Sequence, residues 1–262
     1  METDNILSKL YADHDEKTSD KWSIYIDTYH NQLSSYQDKN INMLEVGVQN
    51  GGSLEIWAKY FKNAHIIIGC DIDRQCANLK FDDARINVLI GDINQPTTKE
   101  RISSTCPEFD IIIDDGSHKS SDIIATFCNY FPDLKDSGLF IIEDLHCSYW
   151  KDYQGGLFAS QSAIQFFKLL VDIVNFEHWG LPISRAEYLE PFLKNLELTL
   201  TDECLSHIHS IEFINSLCII KKAPSAKNLL GGRIIAGENA LVNADVLGLN
   251  NTTSTAPKQT EK

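Results

Sequence analysis

Two stretches of the chain end apolar runs in residues able to move protons or hold cations. FDIIIDDGSHKSSD, residues 109–122, passes from isoleucines into Asp114, Asp115 and His118. LFIIEDLH, residues 139–146, passes into Glu143, Asp144 and His146. Carboxylates that converge without basic neighbours repel one another and raise their own pKa values. A hard divalent cation removes that cost, and oxygen ligands suit Mg²⁺. His118 is a poor Mg²⁺ ligand but a suitable general base near neutral pH. Each residue also has a structural reading. DDG is a common turn, Asp caps helices, and a lone histidine often sits on the surface. The recurrence of acids at two run ends favours chemistry.

A second group lies upstream. LEVGVQNGGSL, residues 44–54, places Gly47, Asn50, Gly51 and Ser53 between an apolar run and a helical pattern. Such a turn lets backbone approach a ligand, and the helix N-terminus favours an anion. The same glycines also serve a tight turn, and their spacing is not the G-x-G-x-x-G of dinucleotide sites. Glu45 lies inside the apolar run, so it needs a partner, either a ligand amine or a backbone donor. Asp71 closes the next run, where an acid accepts both hydroxyls of a ribose. Asp73 is second choice for that contact and also reads as a helix cap. Asp92, in LIGDI, serves equally as partner to an adenine amino group or as a cap.

These residues need a frame. Apolar runs at 41–48, 64–70, 85–91, 109–114 and 139–144 predict five strands. Helical spacing predicts helices over 53–61, 74–80, 97–104, 121–131 and 160–175, with LKDSG (134–138) as a helix exit. Near-continuous Ile/Val/Leu strands between helices mark a parallel sheet covered on both faces. IHSIEFI (208–214) and LCIIKK (217–222) are two residues apart and predict an antiparallel hairpin at its edge. The expected fold is α/β, a doubly wound, mostly parallel seven-stranded sheet. Ligands in such sheets sit beyond the carboxyl ends of the strands, where the acids fall. Residues 1–40 form an N-terminal helical segment, 41–249 the main domain, and 250–262 a disordered tail. Paired glycines, Gly155 and Gly156, suit a lid or substrate insertion near 148–190. His207 and His209 form H-x-H without a third ligand and read as structural.

A net charge of −14 argues against nucleic acid and against anionic membrane surfaces. Seven scattered cysteines, without a C-x-x-C pair, read as buried hydrophobes in a reducing compartment. The polar N-terminus has no signal-peptide pattern, and no apolar run approaches the ~20 residues of a membrane span. A soluble cytoplasmic protein is expected.

The sheet, the glycine turn and the acid after the second strand resemble the class I S-adenosylmethionine-dependent methyltransferases. LEVGVQNGGSLEIWAKYF, GCDID, FDIIIDDGSH, LFIIEDLHCSYW and the downstream GG, in that order, resemble the metal-dependent sugar O-methyltransferases of the mycinamicin type. SDKWSIYIDTY (19–29) is loosely similar to that family's segment over the cofactor. The resemblance implies S-adenosylmethionine and Mg²⁺ as cofactors. It implies metal ligands at Asp115, Glu143 and Asp144 and a catalytic base at His118. It implies cofactor contacts at the glycine turn and Asp71, with Glu45, Asp92 and Asp114 beside them. Asp114 either fixes its turn or faces the cofactor. Tyr149 and Trp150 are candidates for stacking on a sugar or for lid packing. His146 is a substrate contact or a structural hydrogen-bonding group. The implied reaction methylates a sugar hydroxyl, and relatives of this type often assemble into homo-oligomers. Macrolide-modifying members carry a large N-terminal region, whereas about forty residues precede the first strand here, so their substrate recognition does not transfer. The expected acceptor is a sugar on a nucleotide, polysaccharide or glycolipid. The alternatives are a related metal-dependent enzyme of other chemistry and a non-catalytic binding module.

Overall fold

A computed structural model describes residues 5–259. The first four residues of the expected N-terminal segment and the last three of the expected tail lie outside the described residues. Two helices, α1 (Ile6–Ala12) and α2 (Ser23–Leu33), precede the first strand. Strands and helices then alternate: β1 (Asn42–Val46), α3 (Gly52–Tyr60), β2 (Ile66–Asp71), β3 (Ile86–Ile90), α4 (Pro96–Thr105), β4 (Phe109–Asp114), α5 (Ser120–Tyr130) and β5 (Leu134–Ile142). Three helices follow, α6 (Ala163–Val174), α7 (Arg185–Leu193) and α8 (Asp202–Ser206), before the hairpin β6 (Ile208–Ile214) and β7 (Leu217–Lys222). The sheet order is β3-β2-β1-β4-β5-β7-β6. β1 to β5 pair in parallel, and β7 pairs antiparallel with both β5 and β6. This is the doubly wound sheet expected from the alternation of apolar runs.

Side chains alternate across a strand, and this parity places the acids. Met43, Ile111, Ile113, Leu139 and Ile141 pack beneath α2 and α3 with Tyr29 and Trp57. Leu44, Val46, Ile112, Phe140 and Ile142 face α5 and α6 with Phe127 and Phe167. The register aligns Glu45 with Ile113, and Ile113 with Ile141. Asp115 and Glu143, two residues further along β4 and β5, therefore keep the parity of Glu45. All three converge under α2 and α3, whereas Asp114 turns to the opposite face.

Two elements differ from the sequence reading. LKDSG is not a helix exit, because α5 stops at Tyr130 and Leu134 opens β5 opposite Phe109. A register shift between Phe109 and Ile111 absorbs the extra residues, and Ser137 takes φ +68° there. The helix expected over 74–80 is a five-residue 3₁₀ turn, Arg74–Asn78. Asp73 caps it, accepting from the Gln75 N–H at 2.8 Å.

Gly155 and Gly156 donate their N–H groups to the carbonyls of Trp150 and Ser148, both at 2.9 Å. A Cβ at Gly155 would lie 2.1 Å from the Ser148 carbonyl oxygen, so that position requires glycine. Past β7 the chain runs mostly as irregular backbone. It is tied down by Arg233 N–H to Thr252 O and by Gln259 N–H to Gly180 O, both 2.9 Å. All seven cysteines are free and six are buried. Among the described residues no helix is long and apolar enough to cross a membrane.

Candidate active site

A cleft of about 970 Å³ opens beyond the carboxyl ends of the strands, around the switch in strand order between β1 and β4. Its floor is the turn after β1. Gly47 has φ +92°, and a Cβ there would lie 2.0 Å from the Asp115 carbonyl oxygen. That clash excludes any side chain, so only glycine lets the β1 and β4 ends approach this closely. Gly51 closes the turn at φ +85°. Gly52 has another role, since a Cβ on it would lie 2.1 Å from the Lys17 carbonyl oxygen. It admits the N-terminal segment, whose residues Thr18 to Trp22 line the cleft.

Gly47, Asn50, Ser53, Asp71, Asp92, Asp114, Asp115, His118, Asp144, His146 and Trp150 all line this cleft. Glu45, Gly51, Glu143 and Tyr149 do not. Glu45 is fully buried behind the floor. It accepts from the Ser53 hydroxyl at 2.9 Å and the Trp57 indole at 3.3 Å, and burial pushes its carboxyl up to about 7. Asp71 Oδ2 accepts from the backbone N–H groups of Val48 (2.7 Å) and Gln49 (3.0 Å), and Oδ1 from that of Asp73 (2.8 Å). Burial would raise this carboxyl, but those three donors outweigh it and hold it below its ordinary range. Asp92 accepts from Asn94 N–H at 2.9 Å as a turn cap while still lining the cleft. Asp114 is 3% exposed; its Oδ1 takes the Gly116 N–H at 3.3 Å, and its Oδ2 is buried without a protein partner. Burial pushes Asp114 up to about 7.

The acids at the β4 and β5 ends form two overlapping groups. Asp115, His118 and Asp144 have ligand atoms within 4.8 Å of one another, and so do Glu45, Asp115 and Glu143. His118 Nε2 lies 3.9 Å from Asp115 Oδ1 and 3.6 Å from Asp144 Oδ2. His118 and Asp144 both occupy the left-handed region, at φ +56° and +50°. Non-glycine residues there carry strain that the surroundings must hold in place, a feature concentrated at functional sites.

What holds them includes residues that the sequence reading did not single out. Lys21 donates to Asp115 Oδ2 and lies 2.7 Å from Glu143 Oε1 and 3.8 Å from Glu45 Oε1. The premise that the acids meet without a basic neighbour is therefore corrected: this ammonium, with its side chain 2% exposed, sits among three of them. Burial works against its charge, but Glu143, Asp115 and Glu45 reverse this and hold it above its ordinary range. Burial likewise raises Glu143. Its Oε1 nevertheless receives the Tyr29 hydroxyl at 2.5 Å as well as Lys21, donors that fit the ionised form. Asp144 Oδ1 receives the Trp22 indole at 3.0 Å and the Tyr25 hydroxyl at 2.8 Å. Trp22, Tyr25 and Tyr29 recur at helical spacing, so one face of α2 looks onto the acids. That spacing, and the loose likeness of SDKWSIYIDTY to the family's segment over the cofactor, are the signals in the sequence that point to them.

The cleft is strongly acidic, with eight aspartates on its wall against one lysine. Its mouth is aromatic. His146 stands 6.1 Å from Trp22 and 4.8 Å from Trp150, ring to ring, and Trp150 is 6.0 Å from Tyr153. His146 Nδ1 also bonds the Ser216 hydroxyl. Trp150 is half-exposed, and Tyr149 is exposed away from the cleft. His207 and His209 are remote from it, on Asp136 (3.1 Å) and Asn228 (2.7 Å).

A doubly wound sheet with an antiparallel edge hairpin and this cleft defines the fold of the class I S-adenosylmethionine-dependent methyltransferases. The MycE methyltransferase of mycinamycin biosynthesis, solved with Mg, SAH and mycinamycin VI, superposes with a TM-score of 0.65 at 22% identity. The alignment covers 89% of this chain and 57% of that one. Within the class, the sequence is similar to sugar O-methyltransferases. It is 32% identical over 164 residues to 8-demethyl-8-alpha-L-rhamnosyl tetracenomycin-C 2'-O-methyltransferase of Streptomyces olivaceus, covering 59% of this chain and 42% of that protein. It is 31% identical over 164 residues to mycinamicin VI 2''-O-methyltransferase of Micromonospora griseorubida, covering 59% and 40%. The chain thus spans less than half the length of these curated relatives. No protein-family model matches it.

Proposed function

We propose that the protein transfers the methyl group of S-adenosylmethionine to a sugar hydroxyl, with a divalent cation at the acids of the cleft and His118 as general base. One observation carries this reading. Asp115 and Asp144 each have one oxygen engaged by the N-terminal segment, and the other, Oδ1 and Oδ2 respectively, is within 4 Å of His118 Nε2. Two hard oxygens facing a cleft, with no protein cation between them, fit Mg²⁺. Asp115 and Asp144 would hold the ion, and Glu143, behind the wall, would support Asp115 through Lys21. A cation there supplies positive charge that makes a nearby hydroxyl more acidic.

The methyl donor fits the remaining wall. Its sulfonium and ammonium are cationic, and the cleft is acidic. The turn Gly47–Asn50 gives close backbone approach, and Ser53, Asp71 and Asp92 border it. Asp114 Oδ2, buried and without a partner, is a ready acceptor for an amino or ammonium group. His118 Nε2 takes the hydroxyl proton, and the acceptor oxygen attacks the methyl carbon in line as the methyl–sulfur bond breaks and S-adenosylhomocysteine leaves as the neutral thioether, aided by orientation. Trp22, Trp150 and Tyr153 offer apolar faces to a pyranose, with His146 between them. Eight wall aspartates repel phosphate, which favours a neutral glycoside over a nucleotide sugar as acceptor.

The test is methyl transfer from labelled S-adenosylmethionine to a panel of neutral glycosides and nucleotide sugars, with Mg²⁺ or with chelator. Product with the neutral acceptors in Mg²⁺ alone is expected. Full activity in chelator would remove the cation from the reading.

A further inference from the structure

His146 stands at the mouth of the cleft beside Trp22 and Trp150, its ring edge-to-face with both, at 82° and 76°. One of its nitrogens is held by a turn 70 residues downstream. Ser216 occupies the two-residue turn between β6 and β7 at φ +70°, and its carbonyl takes the Leu145 N–H at 2.9 Å. Its hydroxyl meets His146 Nδ1 on one side and the Tyr25 hydroxyl, at 2.8 Å, on the other.

The direction of every proton in this chain follows from Asp144. The Tyr25 oxygen lies 2.8 Å from Asp144 Oδ1. Two oxygens at that distance with no proton between them repel, so the single Tyr25 proton goes to the carboxylate, the stronger acceptor. Ser216 then donates its own proton to the Tyr25 oxygen, whose other lone pair takes the Asp144 N–H at 3.1 Å. With that proton spent, Ser216 Oγ can only accept, and His146 Nδ1 is the donor. The hydrogen bond at one ring nitrogen fixes the role of the other. Among the described residues Nε2 has no hydrogen-bond partner, and the ring lines the cleft with its side chain 27% exposed.

We propose that His146 is a specificity-determining residue, whose Nε2 lone pair accepts a hydrogen bond from an acceptor hydroxyl other than the one methylated. Ser216 is its positioning residue. The proposal rests on the methyl-transfer reading above and narrows its acceptor class: the sugar must keep a free hydroxyl at a second position. A deoxy or already methylated position there has no proton to give and leaves Nε2 unpaired.

Two measurements test it. Kinetics use the neutral glycosides methylated in the panel above, with each remaining hydroxyl in turn removed or O-methylated. In the wild type one position should cost kcat/KM roughly tenfold on either change, the worth of one hydrogen bond. In His146→Phe that discrimination should vanish. No such position in the wild type, or the same discrimination in His146→Phe, would overturn the proposal. No product from any glycoside would defeat the methyl-transfer reading and the specificity with it. The second measurement is independent of turnover. It is a ¹⁵N–¹H correlation spectrum of the imidazoles in mildly alkaline buffer with Mg²⁺, His146 being assigned by its absence from His146→Phe. A proton on Nδ1 and a bare Nε2 are expected. Ser216→Gly removes the hydroxyl in a residue type suited to φ +70°, and should lose that preference. A proton on Nε2 in the wild type, or an unchanged Nδ1–H form in Ser216→Gly, would overturn the proposal whatever the turnover.

Discussion

The Tyr25 hydroxyl donates to Asp144 Oδ1 at 2.8 Å and accepts the Asp144 backbone N–H at 3.1 Å. One phenol on α2 thereby fixes both the carboxylate and the left-handed backbone of an acid beyond β5. With the Trp22 indole on the same oxygen, it aims Oδ2 at His118. Tyr25→Phe removes one hydrogen bond to a charged group, a loss of about 1.5–3 kcal/mol. The Mn²⁺ dissociation constant should rise roughly tenfold or more, since each 1.4 kcal/mol is a factor of ten. Unchanged affinity by titration would show that Trp22 alone orients Asp144.

His118 should matter to turnover and not to donor binding. Its φ of +56° makes asparagine the better replacement, because Asn tolerates the left-handed region and cannot serve as a base. His118→Asn should lower methyl transfer by about 10²–10⁴-fold, the usual worth of a positioned general base. S-adenosylmethionine affinity by calorimetry should stay within about twofold of wild type. Equal turnover in the two proteins would remove His118 as the base.

The strand-end acids were legible because strand parity is a local property. Once β4 and β5 are placed side by side, Asp115 and Glu143 must share a face with Glu45. Parity also decides what a glance at the acids does not: Glu45 and Glu143 point under α2 and α3 and leave the cleft, while Asp114 points the other way. Lys21 was not legible. It lies 94 residues from Asp115 in a polar stretch, and no local pattern marks a lysine that will be buried by three distant carboxylates. The start of β5 was misread for a similar reason. LKDSG is a turn-like string whose pairing depends on Phe109 across the sheet.

Lys222 tests the frame rather than the site. At the end of β7 its ammonium donates to the carbonyls of Phe131 (3.1 Å), Pro132 (3.0 Å) and Leu134 (2.6 Å), just past the C-terminus of α5. All three protons are used on carbonyls of the α5–β5 turn and the start of β5, of which that of Phe131 also takes the Leu134 N–H at 3.2 Å. Lys222→Met keeps the apolar stem but removes three charge-assisted hydrogen bonds, at a cost of about 2–4 kcal/mol. The urea midpoint should fall by roughly 1 M. An unchanged midpoint would mean that water replaces the ammonium without loss.

Gly47→Ala should act on the fold and the site together. The added Cβ would lie 2.0 Å from the Asp115 carbonyl oxygen in a backbone at φ +92°. Strain of about 1–3 kcal/mol and a displaced β4 end are expected. The reading is a lower thermal midpoint together with weakened Mn²⁺ binding, because Asp115 moves with its carbonyl. A lower midpoint with intact Mn²⁺ affinity would show that the two strand ends shift independently.

Asp71 predicts a pH dependence with a definite sign. Its carboxyl is held below the ordinary value by the N–H groups of Asp73, Gln49 and Val48, against the opposing effect of burial. A depressed carboxyl adds stability above its unfolded pKa, about 3.9, and loses it as pH falls through the lower folded value. Asp71→Asn keeps an acceptor but has no such titration. The wild type should therefore be the more stable by about 1 kcal/mol from pH 5 to 8, a modest figure because the half-exposed group is screened by solvent. The gap should close below pH 4 as the wild-type carboxyl protonates and the glycine turn loses its anchor. Urea unfolding of both proteins across that range is the measurement. A gap that persists unchanged at pH 3 would mean that the turn is held by its backbone geometry and not by the charge of Asp71.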